Sequence, residues 1–185
     1  VRELVRDLFS FTKDEADAIC ITTNGWVTRG GLAVMGRGVA LLASRRWPGV
    51  VEIVGRAISR NGHVVQRVTN DHKALDFGGR NHLLPWHLVS FPVKPVELKV
   101  TSPNQIVPHK RSEFYPGMVA PGWMCLADEN LIRRSVAQLV MLTDEMGWKR
   151  VVLPRPGCGS GELRWEAVGA LLNPKLDERF TVVSL

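Results

Sequence analysis

Gly157, Gly159 and Gly161 alternate with Cys158 and Ser160 inside the stretch Val-Val-Leu-Pro-Arg-Pro-Gly-Cys-Gly-Ser-Gly-Glu-Leu-Arg-Trp (151–165). Glycine at every second position leaves backbone N–H groups uncovered, and a helix start directly behind them adds partial positive charge, so the pattern suits a phosphate-bearing ligand. A second glycine-rich stretch carries Gly30-Gly31 and then Met35-Gly36-Arg37-Gly38. Neither is a standard nucleotide motif: Leu41 holds the third place of Gly-x-Gly-x-x-Gly, and Gly-Lys-Ser/Thr is absent. Cys158 sits where a nucleophile would, yet no matching His–Asp arrangement is readable, and its expected part is that of a small apolar residue lending its backbone. His82 and His87 stand five apart across Pro85 without a His-Glu-x-x-His pattern. Cys20, Cys125 and Cys158 are scattered without a Cys-x-x-Cys pair. No metal site and no disulfide framework is expected.

Both glycine stretches need a strand before them and a helix behind. Val151 opens a strand that two prolines stop, and Val168, Leu171 and Leu172 predict a helix cut off by Asn173-Pro174. Ala18–Thr23 reads as a buried strand ended by Asn24-Gly25, and Val39–Ala43 as a helix stopping at Trp47-Pro48. Leu4–Phe9 predicts an opening strand, Val50–Ala57 a second helix ending near Asn61-Gly62, and His63–Val68 and Trp86–Val93 two further strands. The polar span Asn70–Pro85, with Gly78-Gly79, is expected to be a surface loop. Ser102–Trp123, which is rich in proline and glycine and has no period, is expected to be a long loop that is either a functional cover or a mobile segment. Asp128 is placed to cap a helix with Ile132, Val136, Leu139, Val140 and Thr143 on one face and Gly147 as its stop, and Phe180–Val183 predicts a last strand. The order β-β-α-α-β-β-α-β-α-β argues for an α/β protein whose mixed sheet is covered on both faces.

At 185 residues and 45% hydrophobic content, the chain is expected to fold as one domain, residues 1–185. No apolar run approaches the roughly 20 residues that span a bilayer, no signal peptide is apparent, and an odd number of scattered cysteines fits a reducing compartment, so the expected location is cytoplasmic. A formal charge of +6 favours an anionic partner, although the basic residues are spread along the whole chain.

Four segments, in order, resemble a macrodomain, the three-layer α/β/α fold that binds ADP-ribose: Asp7-Leu8-Phe9; Ala18–Asn24 with Met35–Leu41; Ser90-Phe91-Pro92-Val93-Lys94; and Leu153–Trp165. The subclass most resembled contains terminal glutamate–ADP-ribose glycohydrolases and a bacterial antitoxin that removes ADP-ribose from DNA. The resemblance implies that Asp7 and Leu8 contact the adenine, that Asn24 lies near the distal ribose, and that Thr23 is among the ligand-binding residues. It implies that Met35, Gly36, Arg37, Gly38, Val39 and Ala40 face Pro154, Gly157, Cys158, Gly159, Ser160, Gly161 and Leu163 across the pyrophosphate. Lys94 matches the lysine on which hydrolysis depends in that subclass, a role suited to an amine whose pKa is lowered by desolvation and which acts as nucleophile or proton donor. Gly161 stands where the glutamate-specific enzyme has a catalytic aspartate, and Glu162 is the neighbour placed to take part of that role. Arg6 replaces a glycine, Ile21 replaces an asparagine, and the longer link from Asn24 to Met35 leaves two glycine pairs, Gly30-Gly31 and Gly36/Gly38, as alternatives for holding the ribose.

The resemblance implies an ADP-ribosyl hydrolase without cofactor or metal, monomeric, away from membranes, and acting on ADP-ribosylated protein or DNA. A slight preference goes to the ester of an acidic side chain, which has the better leaving group. The alternatives are a reader that binds ADP-ribose without turnover and a DNA-directed antitoxin or anti-defence protein. A basic face of Arg29, Arg37, Arg45, Arg46 and His109-Lys110-Arg111 suits nucleic acid in general.

Overall fold

The computed structural model describes residues 1–184. Its strands are β1 (Arg2–Val5), β2 (Ala18–Thr23), β3 (Gln66–Arg67), β4 (Ala74–Phe77), β5 (Arg80–Leu83), β6 (His87–Pro92), β7 (Glu97–Lys99), β8 (Val119–Pro121), β9 (Val151–Pro154) and β10 (Phe180–Ser184). Its α-helices are α1 (Gly38–Arg46), α2 (Val50–Asn61), α3 (Glu129–Met146) and α4 (Trp165–Leu172). Six strands form the main sheet in the order β1-β10-β9-β2-β6-β3, all pairs parallel except β3 with β6.

A parallel sheet needs cover on both faces, and the strand sequences supply apolar side chains to both. Ile19, Ile21, Leu88 and Val152 point to one side, where they pack with Val50, Val54 and Ile58 of α2 and Ala40 and Ala43 of α1. Their neighbours Cys20, Val89, Phe91, Val151 and Leu153 point to the other, onto Ile132, Val136 and Leu139 of α3 and Val168 and Leu172 of α4. The arrangement is the three-layer α/β/α sandwich with a mixed sheet that the sequence predicts. α3 is bounded as expected: Asp128 accepts from Asn130 N at 2.7 Å and Leu131 N at 3.0 Å, and Gly147 ends it with a left-handed φ of 65°.

Four expectations need correction. The opening strand stops at Val5, because Asp7 turns its carboxylate onto Phe9 N (2.9 Å) and starts a 3-10 turn over Leu8–Ser10. The strand expected over His63–Val68 pairs only at Gln66–Arg67. Asn70–Pro85 is no open loop but the hairpin β4–β5, with Gly78 and Gly79 both at positive φ in its turn and Leu75 buried beneath it. Ser102–Trp123 is likewise folded. β8 pairs antiparallel with β7, and Val100, Ile106, Val107, Phe114, Ala120 and Cys125 form a small core of their own.

That small lobe is seated on the main body through Gly122, whose ideal Cβ would lie 1.7 Å from Pro95 O and 2.7 Å from Asn24 O. No larger residue fits there, so the lobe is held against the ends of β2 and β6. Among the described residues no helix is long and apolar enough to cross a membrane.

Candidate functional site

The parallel strands β2, β6 and β9 end at the same edge of the sheet, at Thr23, Pro92 and Pro154, and the loops that follow them enclose a cleft of about 710 Å³. Clefts outside the carboxyl ends of parallel strands are where open α/β sheets take ligands.

One wall is the start of α1. Arg37, in extended conformation, is its N-cap and offers no side-chain cap, so the N–H groups of Gly38, Val39 and Ala40 open toward the cleft. Opposite lies the 157–161 loop, and the two approach closely: an ideal Cβ on Gly38 would be 4.0 Å from Ser160 Oγ. The loop is curled on itself, with Glu162 N donating to Gly159 O and Leu163 N to Gly157 O, both at 3.0 Å. Among the described residues the N–H groups of Gly159, Ser160 and Gly161 donate to no backbone carbonyl. Two sets of free N–H groups across one gap, one of them at a helix N-terminus, suit a linked pair of phosphates.

The curl also explains why no acid stands at 161. An ideal Cβ there would lie 2.4 Å from Gly157 O and 2.6 Å from Ala127 Cβ, so a side chain would displace the loop. Glu162 is exposed and held at a left-handed φ of 63°, which costs a non-glycine residue roughly 1 kcal/mol or more. It does not line the cleft, but its charge reaches Lys94.

Lys94 lies in the cleft wall, 7% exposed, one residue past the end of the buried β6–Val93 run. Its backbone N donates to Thr23 O at 3.4 Å, and Val93 N to the same oxygen at 3.0 Å, so the lysine is fixed to the end of β2. Ser135 Oγ donates to Pro92 O at 2.8 Å and Asp128 N to Val93 O at 2.9 Å, which pins the segment to α3 from behind. The amine makes no ion pair among the described residues. Burial is the main cause that brings its pKa down to about 8; Cys125 and Glu162 oppose this and Arg37 adds to it. The Cys125 thiol is itself pushed up to about 11 by burial, which the nearby Lys94 ammonium partly offsets, and at pH 7 it is protonated.

Of the positions singled out in the sequence, Thr23, Asn24, Met35, Gly36, Arg37, Gly38, Val39, Ala40, Lys94, Pro154, Gly157, Gly159, Ser160 and Gly161 line this cleft. Gly36 and Gly38 line it rather than Gly30 and Gly31. The second pair forms a turn, and Gly31 O packs against Gly55 of α2. Asn24 borders the cleft, but its amide is engaged: Nδ2 donates to Val34 O (2.8 Å) and Oδ1 accepts from Trp26 N (3.0 Å), closing the 24–34 loop. Five positions lie outside the lining. Leu8 is buried in the core, and Asp7 caps its 3-10 turn and pairs with Arg46 at 3.7 Å. Cys158 turns its thiol to Pro156 O, Leu163 packs against the α3–α4 core, and Glu162 is the fifth.

Sequence reasoning did not place several lining residues in this site. Val107, Trp123 and His109, which the sequence offered only as part of a basic face, come from the small lobe, Trp26 and Thr28 from the 24–34 loop, and Arg155 from the end of β9. Only the fold of the lobe brings Trp123 to the cleft that Lys94 lines. His87 is buried against Trp148 and bonded to Thr69 Oγ1, His82 lies exposed on β5, and no cluster of potential metal ligands occurs among the described residues.

Among solved structures the chain is similar to the macrodomain of Mycobacterium tuberculosis DarG (20% identity, TM-score 0.62, covering 100% of this chain and 97% of that one). It is similar to the macrodomain of Thermus aquaticus DarG (19%, 0.64, 100% and 97%). It also matches Thermosipho africanus DarTG in complex with ADP-ribose (19%, 0.61), covering 96% of this chain but 39% of that longer one. No protein-family model matches the sequence, and no curated protein matches it significantly.

Proposed function

We propose, from the macrodomain fold that this chain has, that it binds ADP-ribose in the 710 Å³ cleft and hydrolyses the bond between the distal ribose and a macromolecule. The observation that carries this is Lys94: a desolvated, unpaired amine at the wall between two facing sets of free N–H groups. A pure reader has no use for such a group, since burying an ammonium without a partner is costly. Support for the ligand comes from the Thermosipho DarTG structure, which holds ADP-ribose in a chain of similar fold.

With a pKa of about 8, roughly one amine in ten is neutral at pH 7, against less than one in a thousand for an ordinary lysine. The neutral Nζ attacks C1 of the distal ribose. The bond from C1 to the macromolecule breaks, and its electron pair leaves with that group, which takes up the proton that the nitrogen loses. Water then adds to C1, the C1–Nζ bond breaks, and ADP-ribose and the free amine are regenerated. The free N–H groups hold the diphosphate so that C1 stays at the amine.

Trp26, Trp123 and His109 also line the cleft, and Trp123 and His109 are exposed. Exposed rings beside the ligand favour a nucleobase over a carboxylate side chain as the modified group, because each base presents a face for stacking, and the overall +6 charge attracts a phosphate backbone. We therefore prefer the nucleic-acid adduct to the ester of an acidic side chain. Offered ADP-ribosylated single-stranded DNA and ADP-ribosylated glutamate at equal concentration, the enzyme should release ADP-ribose faster from the DNA. Faster release from the protein returns the preference to the acyl ester, and binding of ADP-ribose with no release from either makes the protein a reader.

A further inference from the structure

A second hollow, of about 320 Å³, is lined by His63, Pro95, Val96, Asp128, Asn130 and Arg134. Val96, Asp128, Asn130 and Arg134 are exposed, so this hollow is open to solvent. Lys94 lines the cleft and the next residue, Pro95, lines the hollow, so the two cavities adjoin at this point of the chain. Two side chains in contact stand between them. Thr23 lines the cleft while only 6% exposed, and its Oγ1 lies 3.3 Å from Nε2 of His63, on the hollow side. The imidazole is wedged in place: an ideal Cβ on Gly25 would lie 2.5 Å from His63 Nδ1 and 2.8 Å from Val96 Cγ2, so only a glycine there admits ring and valine together. Thr23 O in turn accepts from the backbone N–H groups of Val93 and Lys94.

We infer that His63 is a positioning residue of the cleft, a plug whose ring keeps the solvent of the second hollow away from the Lys94 amine. For its effect on turnover the inference rests on the hydrolase reading; the plug itself does not. An ammonium is stabilised above all by water, so a partition two side chains thick beside a buried lysine controls how readily that lysine gives up its proton. Burial is the main cause of the lowered Lys94 pKa, while Arg37 from α1 lowers it further and Cys125 from the lobe and Glu162 from the glycine loop raise it. On the other side of the partition, Arg134 and Asp128 share the hollow with His63. Burial and then Arg134 bring His63 down to about 4, so the ring is neutral at pH 7 and another neutral side chain in its place changes no charge. A change at Lys94 in such a variant reports water.

Titration of Lys94, followed by carbon-13 NMR of its Cε and assigned by the signal missing from Lys94→Met, reads the amine without any need for turnover. The parent should titrate near 8. His63→Ala, which opens the partition, should titrate at least about one pH unit higher, and the midpoint of the pH–rate curve should move with it, so that ADP-ribose release at pH 7 slows about tenfold. His63→Phe, which keeps a ring and loses both nitrogens, should stay within about half a unit of the parent, and both variants should bind ADP-ribose within about threefold of it. An unmoved Lys94 in His63→Ala, an equal shift in His63→Phe, or a parent Lys94 that titrates like an ordinary lysine overturns the inference. A shifted titration in a protein that releases no ADP-ribose supports the plug and removes the hydrolase reading instead. Should melting curves show that His63→Ala does not fold, His63→Asn, whose side chain is smaller than the ring, is read in the same way, and an unmoved Lys94 there overturns the inference equally.

Discussion

Replacing Lys94 by methionine should make the protein more stable while removing its activity. The amine is 7% exposed, has no counter-ion, and titrates near 8 instead of 10.5. At 1.36 kcal/mol per unit, a displacement of that size means that holding the ammonium in the fold costs about 3 kcal/mol at neutral pH. Methionine has nearly the same length, no charge, and apolar neighbours in Val93 and Val107. For a chain of this size, 1 kcal/mol corresponds to roughly 2–4 °C, so Lys94→Met should melt about 6–12 °C above the parent at pH 7. The direction with pH follows from the lowered pKa. Below pH 8 the lysine is charged both folded and unfolded, and the full burial cost is present. Between pH 8 and 10.5 the folded protein gives up its proton first, so the parent gains stability and the gap to the variant closes. Differential scanning calorimetry at pH 7 and pH 10 measures both quantities. A variant that melts no higher than the parent at pH 7, or a gap that is unchanged at pH 10, would refute the claim that this amine is desolvated and unpaired.

Four further outcomes follow from the same geometry. The rate of ADP-ribose release should rise about tenfold per pH unit up to about pH 8 and then level off. Glu162→Gln should move that midpoint down and Arg37→Gln should move it up, because Glu162 favours the charged amine and Arg37 opposes it; a pH–rate series on the three proteins reads this directly. Gly161→Asp should lower the melting temperature and not raise turnover, since its Cβ meets Gly157 O at 2.4 Å. Trp123→Ala should raise KM for a nucleic-acid adduct while leaving calorimetric affinity for free ADP-ribose within about twofold, because the ring is exposed and comes from the small lobe, not from α1 or the 157–161 loop. Asp128→Ala should cost about 1 kcal/mol in urea denaturation through loss of the α3 cap.

The sequence made the sheet and both glycine loops of the cleft legible because each is written locally. β2 covers the Ala18–Thr23 stretch and ends at the Asn24-Gly25 turn signal, and α3 lies between an aspartate cap and a glycine stop. Regions without a single period were misread. In Ala74–Leu83 the hairpin strands β4 and β5 are short and polar on one side, so Gly78-Gly79 looked like the middle of a loop and not a turn. The 97–125 lobe is held by its own six-residue core and by the contact of Gly122 with Pro95 and Asn24, neither of which leaves a periodic trace. The same limit hid Trp123, His109 and Arg155. What brings Arg155 into the site is a ring ten residues later and a carboxylate at the start of the chain. Lys94 is the contrasting case. Its place in the chain was marked by resemblance, but its desolvation depends on α3, Cys125 and the lobe packing around it, which no local pattern encodes.

The central claim is that Lys94 performs the chemistry in a cleft whose loops perform the binding. It is tested most directly by measuring, on the same preparations of parent and Lys94→Ala, calorimetric ADP-ribose affinity and the release of ADP-ribose from ADP-ribosylated single-stranded DNA. The account predicts affinities within about tenfold of each other and release by the parent alone. Equal release by parent and variant would contradict it and move the chemistry elsewhere, first to Glu162.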